Sequence, residues 1–364
     1  MTFLPVRHMP SDADTTVTAD AVDPAGAECT TLREPGLDTR RRLLGAGLAW
    51  AASGALPAHA QDAGAYPARP VRVIVPTVAG GALDNVARML AQRMSERLGQ
   101  QFIIENRPGG AGGTIGMDAV AKAAPDGYTL LFAAAPIALN TALGIKLPYD
   151  ARRDFAPISL VASIPALFAV HPGTPYRTLA DVVEDSKKRP EGVSYAVATI
   201  GAITHLIGEA WKARTGANLT MIAYKGAGQA IQDVLAGTVP VFLDALIPTG
   251  TQVIAGKLRG IGIASTRRSP LLLPDVPTVV EQGLPELVGS GFYGLLAPAR
   301  TAPEIVSKLH AAVIASIDGT DMRERLVKQG YEVLASTPQG YTDFIVNEID
   351  RWTPVVKAAG IKVD

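Results

Sequence analysis

The sequence predicts an α/β protein of two lobes, each built on a mainly parallel sheet. Its 364 residues exceed what one hydrophobic core usually organises. A unit of β-branched strand, glycine-bearing turn and amphipathic helix recurs along it, and strands alternating with helices mean parallel sheets. The 36 glycines and 27 prolines fit the many turns that this alternation needs.

The first unit is the strand Val71–Pro76, the turn Thr77–Ala82 and a helix from about Leu83. That helix carries Val86, Leu90, Met94 and Leu98 on one face, and Gly99 supplies a left-handed stop. The second is Phe102–Asn106, the turn Arg107–Thr114 and a helix over 115–124, closed by Pro125-Asp126-Gly127 before the strand Thr129–Phe132. Phe155–His171 is a long apolar stretch without helical periodicity, read as a strand passing from one lobe to the other. Thr178 and Asp181 form a capping box for a helix to Lys188. Val193–Ala198, a turn over 199–204, a helix to Thr215, Leu219–Tyr224, a helix over 229–236, Val239–Ala245 and Gly260–Ser265 build the second lobe. Phe292–Ala297 reads as the return crossing. Thr301-Ala302-Pro303-Glu304 caps a helix through Ile317, and Thr337-Pro338 opens the last helix. The lobes are therefore assigned as residues 61–166 with 290–364, and residues 167–289.

Residues 1–60 read as an export segment. Thr39-Arg40-Arg41-Arg42 precedes a short apolar run to Pro57, and Ala58-His59-Ala60 has the small-x-small form of a cleavage site. Thr-Arg-Arg-x-Leu-Leu resembles a twin-arginine signal; an ordinary Sec signal holding three arginines is the alternative. Cleavage after Ala60 removes Cys29, the only cysteine, and leaves 29 Lys or Arg against 27 Asp or Glu. That near-neutral balance gives no electrostatic footprint for nucleic acid. Beyond residue 60 the longest apolar runs are too short to span a bilayer.

Helix N-termini at strand ends offer unpaired N–H groups and a partial positive charge, so a carboxylate or phosphate can be held there without Arg or Lys. The Gly80-Gly81 and Gly109–Gly113 turns are the clearest cases, with simple packing as the competing reading. Ile115 stands where G-x-G-x-x-G needs glycine, and neither a phosphate-binding loop nor a G-x-S-x-G elbow is present. His171, His205 and His310 lack metal-ligand spacing, so neither a metal nor a cofactor is expected. His205 either meets a ligand or satisfies local backbone. Asp84 either orients a polar ligand group or complements a helix dipole, and Asp244 ends a strand where a ligand could lie.

Several blocks, in order, resemble the Bug receptors, the solute receptors of tripartite tricarboxylate transporters. They include Pro76-(x)3-Gly80-Gly81-x-x-Asp84-x-x-Ala87-Arg88, Glu105-Asn106-Arg107-Pro108-Gly109-Gly110, Ala124-Pro125-Asp126-Gly127-Tyr128, Asp154-Phe155-Ala156-Pro157-Ile158 and Leu273-Pro274-Asp275-Val276-Pro277-Thr278. The similarity covers residues 66–364. It implies a type II periplasmic-binding-protein fold, two lobes joined by two crossing strands, and capture of a small carboxylate between them. Carried over by position, Thr77, Ala79, Gly80, Gly81, Asp84, Gly112, Gly113, Thr114, Pro136, Ala198, Thr199, His205 and Asp244 would bind the ligand. The resemblance implies a monomeric periplasmic receptor docking on membrane permease subunits; a sensor for a membrane histidine kinase is the alternative, and a periplasmic enzyme a third reading. Thr77 replaces a usual aromatic residue, and Val197 and Ile200 make the third turn apolar. Those departures point to a ligand with an apolar or aromatic body and one carboxylate rather than to citrate.

Overall fold

The computed structural model describes residues 66–363; the expected export segment, with its arginines and the expected cleavage at Ala60, lies outside them. Among the described residues, ten strands and ten α-helices follow in order. The first region runs β1 (Val71–Val75), α1 (Ala82–Leu98), β2 (Phe102–Asn106), α2 (Thr114–Ala121), β3 (Thr129–Ala134) and α3 (Pro136–Ala142). The long β4 (Phe155–Val170) leads to α4 (Leu179–Lys188), β5 (Val193–Val197), α5 (Ile203–Thr215), β6 (Leu219–Ala223), α6 (Ala227–Leu235), β7 (Val241–Ala245), α7 (Leu246–Ile254) and β8 (Arg259–Ile263). The chain returns through β9 (Ser290–Pro298) to α8 (Pro303–Asp318), α9 (Met322–Lys328), β10 (Glu332–Val333) and α10 (Pro338–Ala359).

The strands are ordered β2-β1-β3-β9-β4-β7-β5-β6, with β8 and β10 also pairing β4. β1 pairs β2 and β3 in parallel, as β5 pairs β6 and β7. β4 and β9 enter antiparallel because they cross the molecule rather than begin a strand–helix unit. β4 is shared: Phe155–Pro165 pairs β9, whereas Ala166–Val170 pairs β7. The change falls at Pro165/Ala166, opposite Ser290 and Gly289; Ala166 N–H donates to the Gly289 carbonyl at 3.2 Å. The β4 stretch is buried almost throughout, which explains a long apolar run with no alternation.

The helices start and stop as their residues dictate, with one exception. Thr178 and Asp181 form the reciprocal capping box, the Thr337 side chain accepts from Gly340 N–H, and Gly99 ends α1 in the left-handed conformation. The expected Thr301 cap is not formed. Ala302 is the N-cap of α8, and the Thr301 hydroxyl instead donates to the Pro298 carbonyl at 2.8 Å, tying the end of β9 to the turn. Two helices were not foreseen beside the cavity, α3 and α7. α3 follows β3 after Ala135 alone, α7 follows β7 directly, and α7 holds Pro248 and Gly250, which read as breakers. Trp211 of α5 packs edge-on against Phe168 of β4 at 5.2 Å, and Phe292 of β9 against Phe344 of α10 at 4.8 Å, so each crossing strand is held by an aromatic pair to a helix.

Candidate functional site

The parallel strands β1 and β3, and likewise β5 and β7, present their carboxyl ends where ligands of open α/β sheets gather. Asp84 builds the first loop. It is 1% exposed, accepts from Gly80 N–H at 2.8 Å, from Asn106 Nδ2 at 2.9 Å and from Arg88 Nε at 2.8 Å. Burial pushes its carboxyl up, but these hydrogen bonds and the Arg88 charge outweigh it and hold it at about 2. With both oxygens engaged inside the loop, Asp84 positions Thr77–Gly81. The Asn106 amide also donates to the Thr77 carbonyl at 3.2 Å, so one carboxylate orders the whole turn.

The glycines of the second loop are set by packing. A Cβ on Gly113 would lie 2.3 Å from the Pro76 carbonyl oxygen, and one on Gly112 would lie 2.6 Å from Pro136 Cβ. Both residues have positive φ, 93° and 57°. Gly112 and Gly113 thus allow the second loop to rest on the first loop and on the start of α3. Asn140 Nδ2 closes this arrangement by donating to the Ala111 carbonyl at 2.8 Å.

Between the two halves of the sheet lies a cavity of about 250 Å³. Ala134, Ala135 and Pro136 form its wall at the end of β3, and Ile164 and Ala166 of β4 with Gly291, Phe292 and Tyr293 of β9 form its floor. Ala198, Ala202, Ile203 and Thr204 enclose it at the start of α5, and Asp244 and Ala245 at the end of β7. Only Thr204, Asp244 and Tyr293 among these bear a polar side chain, and no Lys or Arg is present. The first turns of α5 and α7 leave backbone N–H groups without intrahelical partners there. Three larger grooves lie elsewhere among the described residues. One, about 500 Å³, lies beside α1 and the amino end of β2; the second, about 490 Å³, lies between α5 and α10; the third, about 300 Å³, lies beside Thr141 at the end of α3 and Tyr149. None meets a strand's carboxyl end, so the smaller cavity is the candidate site.

Of the thirteen residues expected to bind, Pro136, Ala198 and Asp244 line this cavity. Thr77, Ala79, Gly80, Gly81, Gly112, Gly113 and Thr114 form the adjoining first and second loops, and Thr199 is exposed on the third. His205 is 5% exposed and does not line it. Its Nδ1 accepts from Gly201 N–H at 3.0 Å, and burial pushes the imidazole below its ordinary pKa, so the neutral ring ties the third turn to α5. Asp244 differs: it is 7% exposed, and among the described residues nothing donates to its Oδ2. Burial raises its carboxyl to about 6, with only the Ala245 N–H acting in the other direction.

The sequence pattern of the tripartite tricarboxylate transporter family receptor matches residues 86–361. The chain belongs to this family. The receptor is 37% identical to Protein BugT of Bordetella pertussis over 304 residues, 83% of this chain and 93% of that one. Among solved structures, Rpa4515 of R. palustris with adipate shares 33% identity at a TM-score of 0.69, covering 82% and 99% of the two chains. MatC (Rpa3494) from Rhodopseudomonas palustris with bound malate shares 33% at 0.66, covering 80% and 100%. A periplasmic transporter structure 38% identical, at a TM-score of 0.69, agrees with the same two-sheet architecture; the receptor has the type II periplasmic-binding-protein fold.

Sequence reasoning missed the receptor's cavity floor. Ile164, Ala166, Phe292 and Tyr293 lie on the crossing strands, and in a sequence such residues are indistinguishable from core. The available signal was topological: strands that pass between lobes must also pass under whatever binds between them.

Proposed function

We propose that the receptor captures a small carboxylate in the cavity beneath the crossing strands and delivers it to a tripartite tricarboxylate-type permease. One observation carries this reading: the cavity joins the unpaired N–H groups at the starts of α5 and α7 to a wall that is otherwise almost wholly apolar. An anionic head fits the helix ends, and an apolar body fits Ile164, Phe292 and the alanines. Rpa4515 and MatC, with adipate and malate, lend support at the level of ligand class.

The lobes, residues 61–166 with 290–364 and residues 167–289, would turn about Pro165/Ala166 and Gly289/Ser290. A ligand touching both then favours the closed form by its added contacts, with no chemistry performed on it. The lining holds no nucleophile paired with a base, which suits capture rather than turnover. A monomer exported through the Thr39–Ala60 segment completes this reading.

Thermal unfolding of the purified receptor against mono-, di- and tricarboxylates, with and without a 2-amino group, tests it, with sugars as controls. A ligand at a hundred times its dissociation constant stabilises by about 2.7 kcal/mol. Shifts confined to carboxylates with apolar bodies are expected. Stabilisation by citrate but not by apolar acids would remove the apolar-body reading, and stabilisation by sugars alone would remove the carboxylate reading.

A further inference from the structure

Asp244 is the one charged side chain lining the cavity. Ending β7 opposite Leu167 of β4, it is more than nine-tenths buried, and its Oδ2 has no donor among the described residues. A buried carboxylate oxygen without a donor is costly, and structures rarely keep one unless something pairs with it. Among the described residues the surrounding elements supply no free cation: Arg259 of β8 is spent on the carbonyls of Pro172, Thr174 and Tyr176, and α6 brings only Asp233, which accepts from Tyr224. β3, α3, β4 and α7 carry no ionisable side chain, and β9 brings only Tyr293. β5 carries Tyr195, which faces Glu209. On α5, Glu209 pairs with Lys212, His205 is neutral and bound to Gly201, and Arg214 pairs with Glu286. A purely anionic ligand would bring a second negative charge beside the first.

We infer that Asp244 is the counter-ion for a cationic nitrogen on the ligand, so that the receptor takes an apolar acid bearing an ammonium group beside its carboxylate. The ammonium satisfies Oδ2 and cancels the buried charge, the carboxylate meets the N–H groups of α5 or α7, and the side chain fills the apolar wall. This rests on the small-carboxylate reading and narrows it from acids in general to apolar amino acids. Burial of Asp244, which raises its carboxyl to about 6, adds a pH signature: the ionised form that pairs with ammonium is lost as pH falls below that value.

Calorimetric titration with leucine and with 4-methylpentanoate, the same skeleton without nitrogen, tests the inference; phenylalanine and 3-phenylpropanoate form a second pair. In each, the amino acid of at least one pair is expected to bind at least about tenfold more tightly at pH 7.5, with the advantage shrinking at pH 5. Asp244→Asn, nearly isosteric, is expected to erase that advantage, and its thermal midpoint without ligand checks the fold. Tighter binding of the acids lacking nitrogen, strengthening at pH 5, would overturn the inference by making protonated Asp244 a donor to a carboxylate. That result would leave the small-carboxylate reading standing. Binding of neither member of either pair, while other carboxylates bind, would also overturn it; no carboxylate binding at all would instead overturn the reading beneath it.

Discussion

Replacing Ala198 by tryptophan is expected to weaken ligand capture at least about a hundredfold while leaving the protein folded. Ala198 follows β5 and lines the cavity, and its carbonyl accepts from Gly226 N–H at 2.8 Å. The residue is only partly buried, so an indole can be accommodated at the third turn without disturbing the sheet. Inside a cavity of about 250 Å³, the added ring takes the room an apolar ligand body would need. Calorimetric titration with the carboxylate that stabilises the wild type reads the loss. Ala213→Trp serves as the matched control, because Ala213 lines the groove between α5 and α10 and is exposed. Equal affinity in Ala198→Trp and wild type, or loss in Ala213→Trp alone, would move the site to that groove.

Gly113→Ala is expected to destabilise the protein by about 3 kcal/mol, combining left-handed backbone strain with overpacking. The new Cβ would stand 2.3 Å from the Pro76 oxygen and 2.6 Å from Pro76 Cβ, backbone and ring of the proline directly after β1, so no flexible side chain can yield. Gly80→Ala isolates the first of these effects: its φ is 86°, but nothing lies within 4 Å of the added atom. That variant should lose only about 1 kcal/mol. Urea unfolding with an unchanged slope and a lowered midpoint measures both. Equal losses in the two variants would show that close approach to Pro76 contributes little.

The contrast between Gly80 and Gly113 also marks how far the sequence could be read. Both turns were legible as glycine-bearing strand–helix junctions, yet only the packed structure separates a glycine needed for its φ from one needed for want of a Cβ. Asp84 stood correctly in the first turn of its helix, but its role depends on Asn106, a residue 22 positions away on β2. The Thr178 and Thr337 caps were legible because capping is local. Thr301 misled because its hydroxyl found the Pro298 carbonyl in the turn behind it. The crossing strand β4 was plain from its unbroken apolar run, whereas α7 was hidden by Pro248 and Gly250. Asp244 was named, but that its Oδ2 is buried without a donor is a fact of the tertiary structure alone.

Hydrogen exchange of the backbone amides, with and without the stabilising carboxylate, tests the location of capture most directly. Slowed exchange is expected at Ile203 and Thr204, which line the cavity at the start of α5, and at Leu246, which follows the cavity-lining Ala245 at the start of α7; the first-turn N–H groups there have no intrahelical partners. The crossing positions Ala166 and Gly291 should follow as the lobes close. Protection confined to Lys212, Ala213 and Val355 in the α5–α10 groove, with the α5 and α7 starts unchanged, would contradict capture beneath the crossing strands.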